Sequence, residues 1–172
     1  MKKTSFRYLE KQNKLEILPE LFDIFYENTN LVAPFSRSYE IEREEWLSEV
    51  SPALEKDPRQ IILIYHKDVL AGFVMYYTRG VLLMIEELQL KEAYQGTLLL
   101  YKTVEFFAEM LGDKISSIEA YALKKNKRSI ALMRGIGFSE IHDTLGSKFL
   151  HFGIDAKIIT SKIRKTRDKR KQ

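Results

Sequence analysis

No cysteine occurs in the 172 residues, which excludes disulfides, thiolate-held metals and an acyl-cysteine intermediate. The three histidines, His66, His142 and His151, have no ligand spacing between them, so no metal site is expected. Nowhere do 18 apolar residues run together, and no membrane-spanning helix is predicted. Four prolines and eight glycines form no linker-like cluster, and no repeat or low-complexity segment divides the chain. The start, "MKKTSFRYLE", has two lysines without an apolar run behind them and does not read as a signal peptide. A reducing compartment fits the missing cysteine, and the cytoplasm is the expected location.

What is present suffices for one domain. The chain is 45% hydrophobic and 12% aromatic, ample for a single core. Its net charge of +4 is unevenly placed. Residues 157–172 hold eight Lys/Arg and one Asp, which leaves 20 basic against 23 acidic residues elsewhere. The basicity belongs to a C-terminal tail and the body is slightly acidic. The expected division is therefore a domain over 1–156 and a basic tail over 157–172.

Periodicity gives an element order. "SFRYLEKQ" alternates weakly as a first strand. "KLEILPELFDIFYENTN" is a helix with Leu18, Leu21, Phe22 and Phe25 at helical spacing, ended by Asn28 to Asn30. A second helix, "SYEIEREEWLSEVSPALEKD", turns Ile41, Trp46, Leu47 and Val50 inward, and Pro52 is expected to kink or end it. "RQIILIYHKD" and "VLAGFVMYYTRG" form a hairpin at "HKD". "VLLMIEELQL" is a third strand of that group, buried at its apolar start. From Thr97 a helix carries Leu100, Val104, Phe107 and Leu111 on one stripe and ends at Gly112. "SSIEAYALK" is a strand reached by a right-handed crossover. "NKRSIALMRGIGF" is a short helix with Asn126 as N-cap and Gly137 at its end. "SEIHDTL" and "KFLHFGI" supply two more strands. The fold class is α/β, a mixed sheet of about seven strands flanked by four helices.

That order, and the motifs placed within it, resemble the GNAT (acyl-CoA N-acyltransferase) superfamily over roughly Ser5 to Ile154. In "NKRSIALMRGIGF" the matching positions are Asn126, Ser129, Ile130, Gly137 and Phe138. "HKDVLAGFVMYY", with Gly72, resembles the family's second and third strands, and "IEELQLKEAYQG" the strand leading to the cofactor turn. The resemblance implies transfer of an acetyl group from acetyl-CoA to an amine, with no metal. It also implies that the pyrophosphate is held by Gln95, Gly96, Thr97 and the amides of Leu98, Leu99 and Leu100. A strand feeding a helix N-terminus suits an anion in any case, because unpaired N–H groups and the positive dipole end face it. Leu98 and Leu100 stand where the family has small residues, which favour close backbone approach.

Attack on a thioester requires a neutral amine, and an alkylamine of pKa about 10.4 is about 99.9% protonated at pH 7. A base is useful, and the resemblance places it at Glu87, on the opposite side of the strand from Glu86. It likewise assigns backbone N–H groups of Leu88 to Leu90 to the thioester carbonyl and Asn126 to pantetheine. Its usual tyrosine acid falls on Met133, which carries no proton; Tyr94, Tyr101 and Tyr121 are read as packed aromatics. The glutamates of "YEIEREEWLSEV" lie where the acceptor cleft is expected, although a charge run on a helix ordinarily faces solvent.

The expected acceptor is a small-molecule or peptide amine, and a homodimer is compatible with the sequence. Nucleic-acid binding by the tail is disfavoured, because no aromatics interleave its charges; a solvated extension is preferred. The alternative to an enzyme is a non-catalytic binding or regulatory module of the same fold with an impaired coenzyme A site.

Overall fold

A computed structural model describes residues 4–56, 58–96, 98–142 and 147–162. Among the described residues, seven strands lie in the sheet order β1-β2-β3-β4-β5-β7-β6. The strands are β1 (Thr4–Tyr8), β2 (Gln60–His66), β3 (Val69–Arg79), β4 (Leu82–Leu90), β5 (Ser117–Leu123), β6 (Ser139–His142) and β7 (Phe149–Asp155). Four helices intervene, namely α1 (Lys14–Val32), α2 (Tyr39–Lys56), α3 (Leu98–Leu111) and α4 (Lys127–Ile136). A fifth, α5, covers residues 156–162. The chain forms two compact units, Met1–Tyr77 with Glu87–Thr97, and Thr78–Glu86 with Leu98–Gln172.

In the first unit, β1 and β2 pair antiparallel, as do β2 and β3. The β2–β3 turn is two residues long because Lys67 (φ 53°) and Asp68 (φ 63°) both adopt left-handed backbone, which matches the strand twist. β2 is buried on both faces, so it reads as a continuous apolar run rather than an alternation. Ile61 and Leu63 join Leu18, Leu21, Phe22, Trp46 and Val50 in one core, to which Phe73 and Met75 of β3 also belong. Phe22 is its aromatic centre, with ring centroids 5.8 Å from Trp46 and 5.4 Å from Tyr39. Ile41, expected inward, is 50% exposed. It lies five residues before Trp46, which at about 100° per residue puts it about 140° round the helix and away from the core. Pro52 does not end α2, which continues to Lys56, and α1 runs past Asn28 to Val32.

In the second unit, Leu82–Ile85 of β4 pair in parallel with Ser117–Ala120 of β5, as the crossover through α3 predicts. β5 alternates, burying Ile118, Ala120 and Ala122. β7 pairs antiparallel with both β5 and β6. α3 buries Phe107 of the expected stripe, but with Leu99 and Thr103 in place of Leu100 and Val104, which are half-buried. Thr103 tolerates this because its hydroxyl donates to the Leu99 carbonyl at 2.9 Å. The side chain of Leu111 lies outside those described. α5 runs on from Ala156, the last residue of the expected domain, into residues expected in the tail: Ala156 and Ile159 are buried, and Lys162 Nζ donates to the Ile136 carbonyl at the end of α4 at 2.6 Å. The rest of the tail lies outside the described residues.

Candidate functional site

The end of β4 is built for close approach. A Cβ on Gly72 would overlap the Gln89 carbonyl oxygen and come within 2.9 Å of the Leu90 Cα, so no larger residue fits beside this segment. The Lys91 N–H donates to the Ala71 carbonyl at 2.9 Å and continues that contact. Past Leu90 the chain makes one short turn, Glu92–Tyr94, and reaches Gly96 at φ 74°, a conformation that favours glycine. Two residues later α3 begins.

Side-chain amides fix this turn from within its own unit. Gln95 Nε2 donates to the Leu90 carbonyl at 2.9 Å and to Asn28 Oδ1 of α1 at 2.8 Å. Asn28 Nδ2 donates to the same Leu90 carbonyl and to Gln89 Oε1, each at 2.9 Å. Gln89 Nε2 in turn donates to Glu87 Oε2 at 2.6 Å. Glu87 and Leu88 are half-buried and Leu90 is buried. Lys91 Nζ pairs with Glu20 Oε1 of α1 at 2.8 Å.

In the second unit, Asn126 caps α4: its side-chain oxygen accepts the Ser129 N–H at 2.9 Å. Gly137 closes the helix at φ 114°, and Met133 is half-buried on it. At the head of α3 the three leucines part company. Leu98 is 65% exposed, Leu99 is 4% exposed and Leu100 is half-buried, as a 100° step per residue requires.

No protein-family model and no curated protein matches the sequence. Solved structures do match. An acetyltransferase from Thermus thermophilus aligns with a TM-score of 0.71 at 17% identity, over 90% of this chain and 99% of its own. A probable acetyltransferase of the GNAT family from Chromobacterium violaceum gives a TM-score of 0.69 at 14% identity, over 92% and 85%. The spermidine N-acetyltransferase of Vibrio cholerae, solved in complex with CoA and spermine, gives 0.64 at 14%, over 91% and 98%. The chain has the GNAT fold.

Within this GNAT fold, the residues expected at the site fall into two groups. Glu87, Leu88, Leu90, Gln95 and Gly96 share the first unit, where the amide network ties Glu87, Leu90 and Gln95 together. Leu98, Leu99, Leu100 and Asn126 belong to the second. Thr97 lies outside the described residues. Of the acidic run on α2, Glu42 and Glu45 hold Arg37, while Glu40 and Glu44 line an open depression of about 500 Å³ with Asp23 and Tyr39. Paired with those two carboxylates, the Arg37 guanidinium has its pKa raised, Glu45 acting more strongly than Glu42. Tyr39 donates to Asp23, and that bond raises the phenol's pKa.

His66 meets Tyr94 edge-on with ring centroids 5.7 Å apart, and His151 stacks on Tyr121 at 4.2 Å while contacting Glu119 Oε2 at 2.9 Å. The side chain of His142 lies outside those described. Among the described residues no group of three or more His, Cys, Asp or Glu is placed to hold a metal ion, and no helix is long and apolar enough to cross a membrane.

Sequence reasoning missed Asn28 and Gln89. Asn28 reads as a helix stop, yet α1 continues past it. Its one signal is chemical: asparagine is a weak helix former, so a helix-interior asparagine asks for a partner outside the helix.

Proposed function

We propose that this chain is an acetyl-CoA-dependent N-acetyltransferase that acetylates a primary amine of a small molecule or peptide by direct attack. The observation that carries the reading is the turn after β4. Gln95 is locked to the Leu90 carbonyl, Gly96 takes positive φ, and α3 starts two residues on. In chain order a turn that runs straight into a helix N-terminus favours a pyrophosphate. Leu98 weakens the site without abolishing it: its main-chain N–H lies in the first turn of α3 whatever the side chain, which is exposed.

Gln95, Gly96, Thr97 and the amides of Leu98, Leu99 and Leu100 would hold the phosphates, and Asn126 the pantetheine arm. Bound acetyl-CoA supplies a thioester carbonyl carbon as electrophile. Glu87 takes the proton from the incoming ammonium, directly or through one water, and its Oε2 is already fixed by Gln89. Backbone N–H groups of Leu88 to Leu90 stabilise negative charge on the reacting oxygen. Met133 donates no proton, so the chain supplies no acid from that position and the departing thiolate is protonated by solvent. The bound spermine of the Vibrio cholerae enzyme supports an amine acceptor.

Calorimetric titration tests the reading. Saturable one-to-one binding of acetyl-CoA is expected, and absence of heat at millimolar cosubstrate sinks it.

A further inference from the structure

The amide network of the first unit ends on two groups whose chemistry leaves no choice. The Leu90 main-chain carbonyl can only accept, and so can the ionised Glu87 carboxylate. Asn28 must therefore present Nδ2 to Leu90, and the second hydrogen of that nitrogen reaches Gln89 Oε1. Its Oδ1 is left to accept from Gln95 Nε2. Gln89, accepting on its oxygen, presents Nε2 to Glu87 Oε2 at 2.6 Å. No amide in the series can turn over without setting two acceptors or two donors against each other.

We infer that Asn28 is a positioning residue that couples the turn at Gln95 to the Glu87 carboxylate through a relay of amides with fixed polarity. Its catalytic meaning rests on the acetyl-transfer reading; the relay itself does not. Donation from Gln89 favours the charged carboxylate and fixes one of its oxygens. Coupling of this kind is reciprocal. A ligand that engages the Gln95 amide pulls on Asn28, and through Gln89 it reaches Glu87; the charge on Glu87 sets the turn by the same route. Lys91, four residues along the chain, pairs with Glu20 of α1. Glu86 occupies the adjacent strand position, which faces the other side of β4.

The test is a carbon-13 NMR titration of the Glu87 carboxyl in the free protein, so it reads the relay whether or not coenzyme A binds. Gln89→Met removes the terminal donor without adding charge, and the Glu87 pKa should rise by about one unit. Asn28→Asp is isosteric but puts an acceptor against Gln89 Oε1. Gln89 must then reverse and turn its oxygen on Glu87, which raises that pKa by at least as much. In the Gln89→Met background the same Asn28→Asp change should add much less, because only through-space charge remains. An unmoved Glu87 in Gln89→Met overturns the proposal. So does an Asn28→Asp shift of equal size in both backgrounds. If Asn28→Asp fails to fold, Asn28→Ala takes its place, and a Glu87 unmoved in that variant likewise overturns the proposal. Failure of acetyl-CoA to bind, with the relay shifts intact, overturns the function and leaves the relay standing.

Discussion

Gly72→Ala should be among the most damaging single-methyl changes in this chain. The added Cβ would overlap the Gln89 carbonyl oxygen, lie 2.7 Å from Leu90 Cδ2 and lie 2.9 Å from Leu90 Cα. Leu90 Cδ2 belongs to a side chain that can swing aside, but the other two atoms are backbone, so β4 itself has to move by about 1 Å to restore van der Waals contact. Overpacking of this kind costs about 1–3 kcal/mol. Loss of the neighbouring Lys91-to-Ala71 hydrogen bond adds about 1 kcal/mol. A total near 3 kcal/mol corresponds to a fall in Tm of about 6–12 °C in a domain of this size. Gly135→Ala is the control. Nothing lies within 4 Å of a Cβ at Gly135 in α4, so the change should be neutral or stabilising by about 0.5–1 kcal/mol. Thermal unfolding followed by circular dichroism reads both. A Gly72→Ala protein that melts with the wild type, or no earlier than Gly135→Ala, refutes the close approach and with it the geometry of the site.

Asn126→Ala should cost about 1 kcal/mol through the lost cap and also weaken coenzyme A in calorimetry, whereas Asn126→Asp should keep the stability; unchanged affinity in the alanine variant removes Asn126 from the site. Leu98→Ala should leave stability within about 0.5 kcal/mol, since the side chain is exposed, and should tighten coenzyme A binding a few-fold by opening the backbone. Weaker binding would mean that the leucine side chain itself contacts the cosubstrate. Tyr76 has its pKa raised, chiefly by burial and then by Tyr8, and its hydroxyl donates to Gln60 at 2.6 Å. Its folded value lies above the unfolded one, so its contribution is complete below about pH 10 and is lost as pH rises beyond that. The urea midpoint should therefore fall above about pH 10, and less steeply in Tyr76→Phe.

Local signals were legible where one residue fixes its own backbone or caps its own helix. The "HKD" turn, the Asn126 cap and the Gly137 stop all follow from neighbours within four residues. The two-sided burial of β2 and the parallel β4–β5 pair follow from apolar runs and connection length. Phase was harder. Three consecutive leucines at the head of α3 allow two adjacent stripes, and packing chose Leu99, Thr103 and Phe107, with a threonine that satisfies itself. Ile159 was hidden by the charges around it, although one turn of helix suffices to bury it. The partners of Asn28 could not be found, because Gln89 and Leu90 lie 61 and 62 residues away and nothing local points to them.

The most direct measurement is release of free coenzyme A thiol from acetyl-CoA over a panel of primary amines, from polyamines to peptide N-termini. Acetyl transfer to at least one of them is predicted, with Glu87→Gln losing about 10²–10⁴-fold in rate at neutral pH. Tight acetyl-CoA binding with no turnover on any amine would contradict the account and leave a GNAT fold that binds without catalysing.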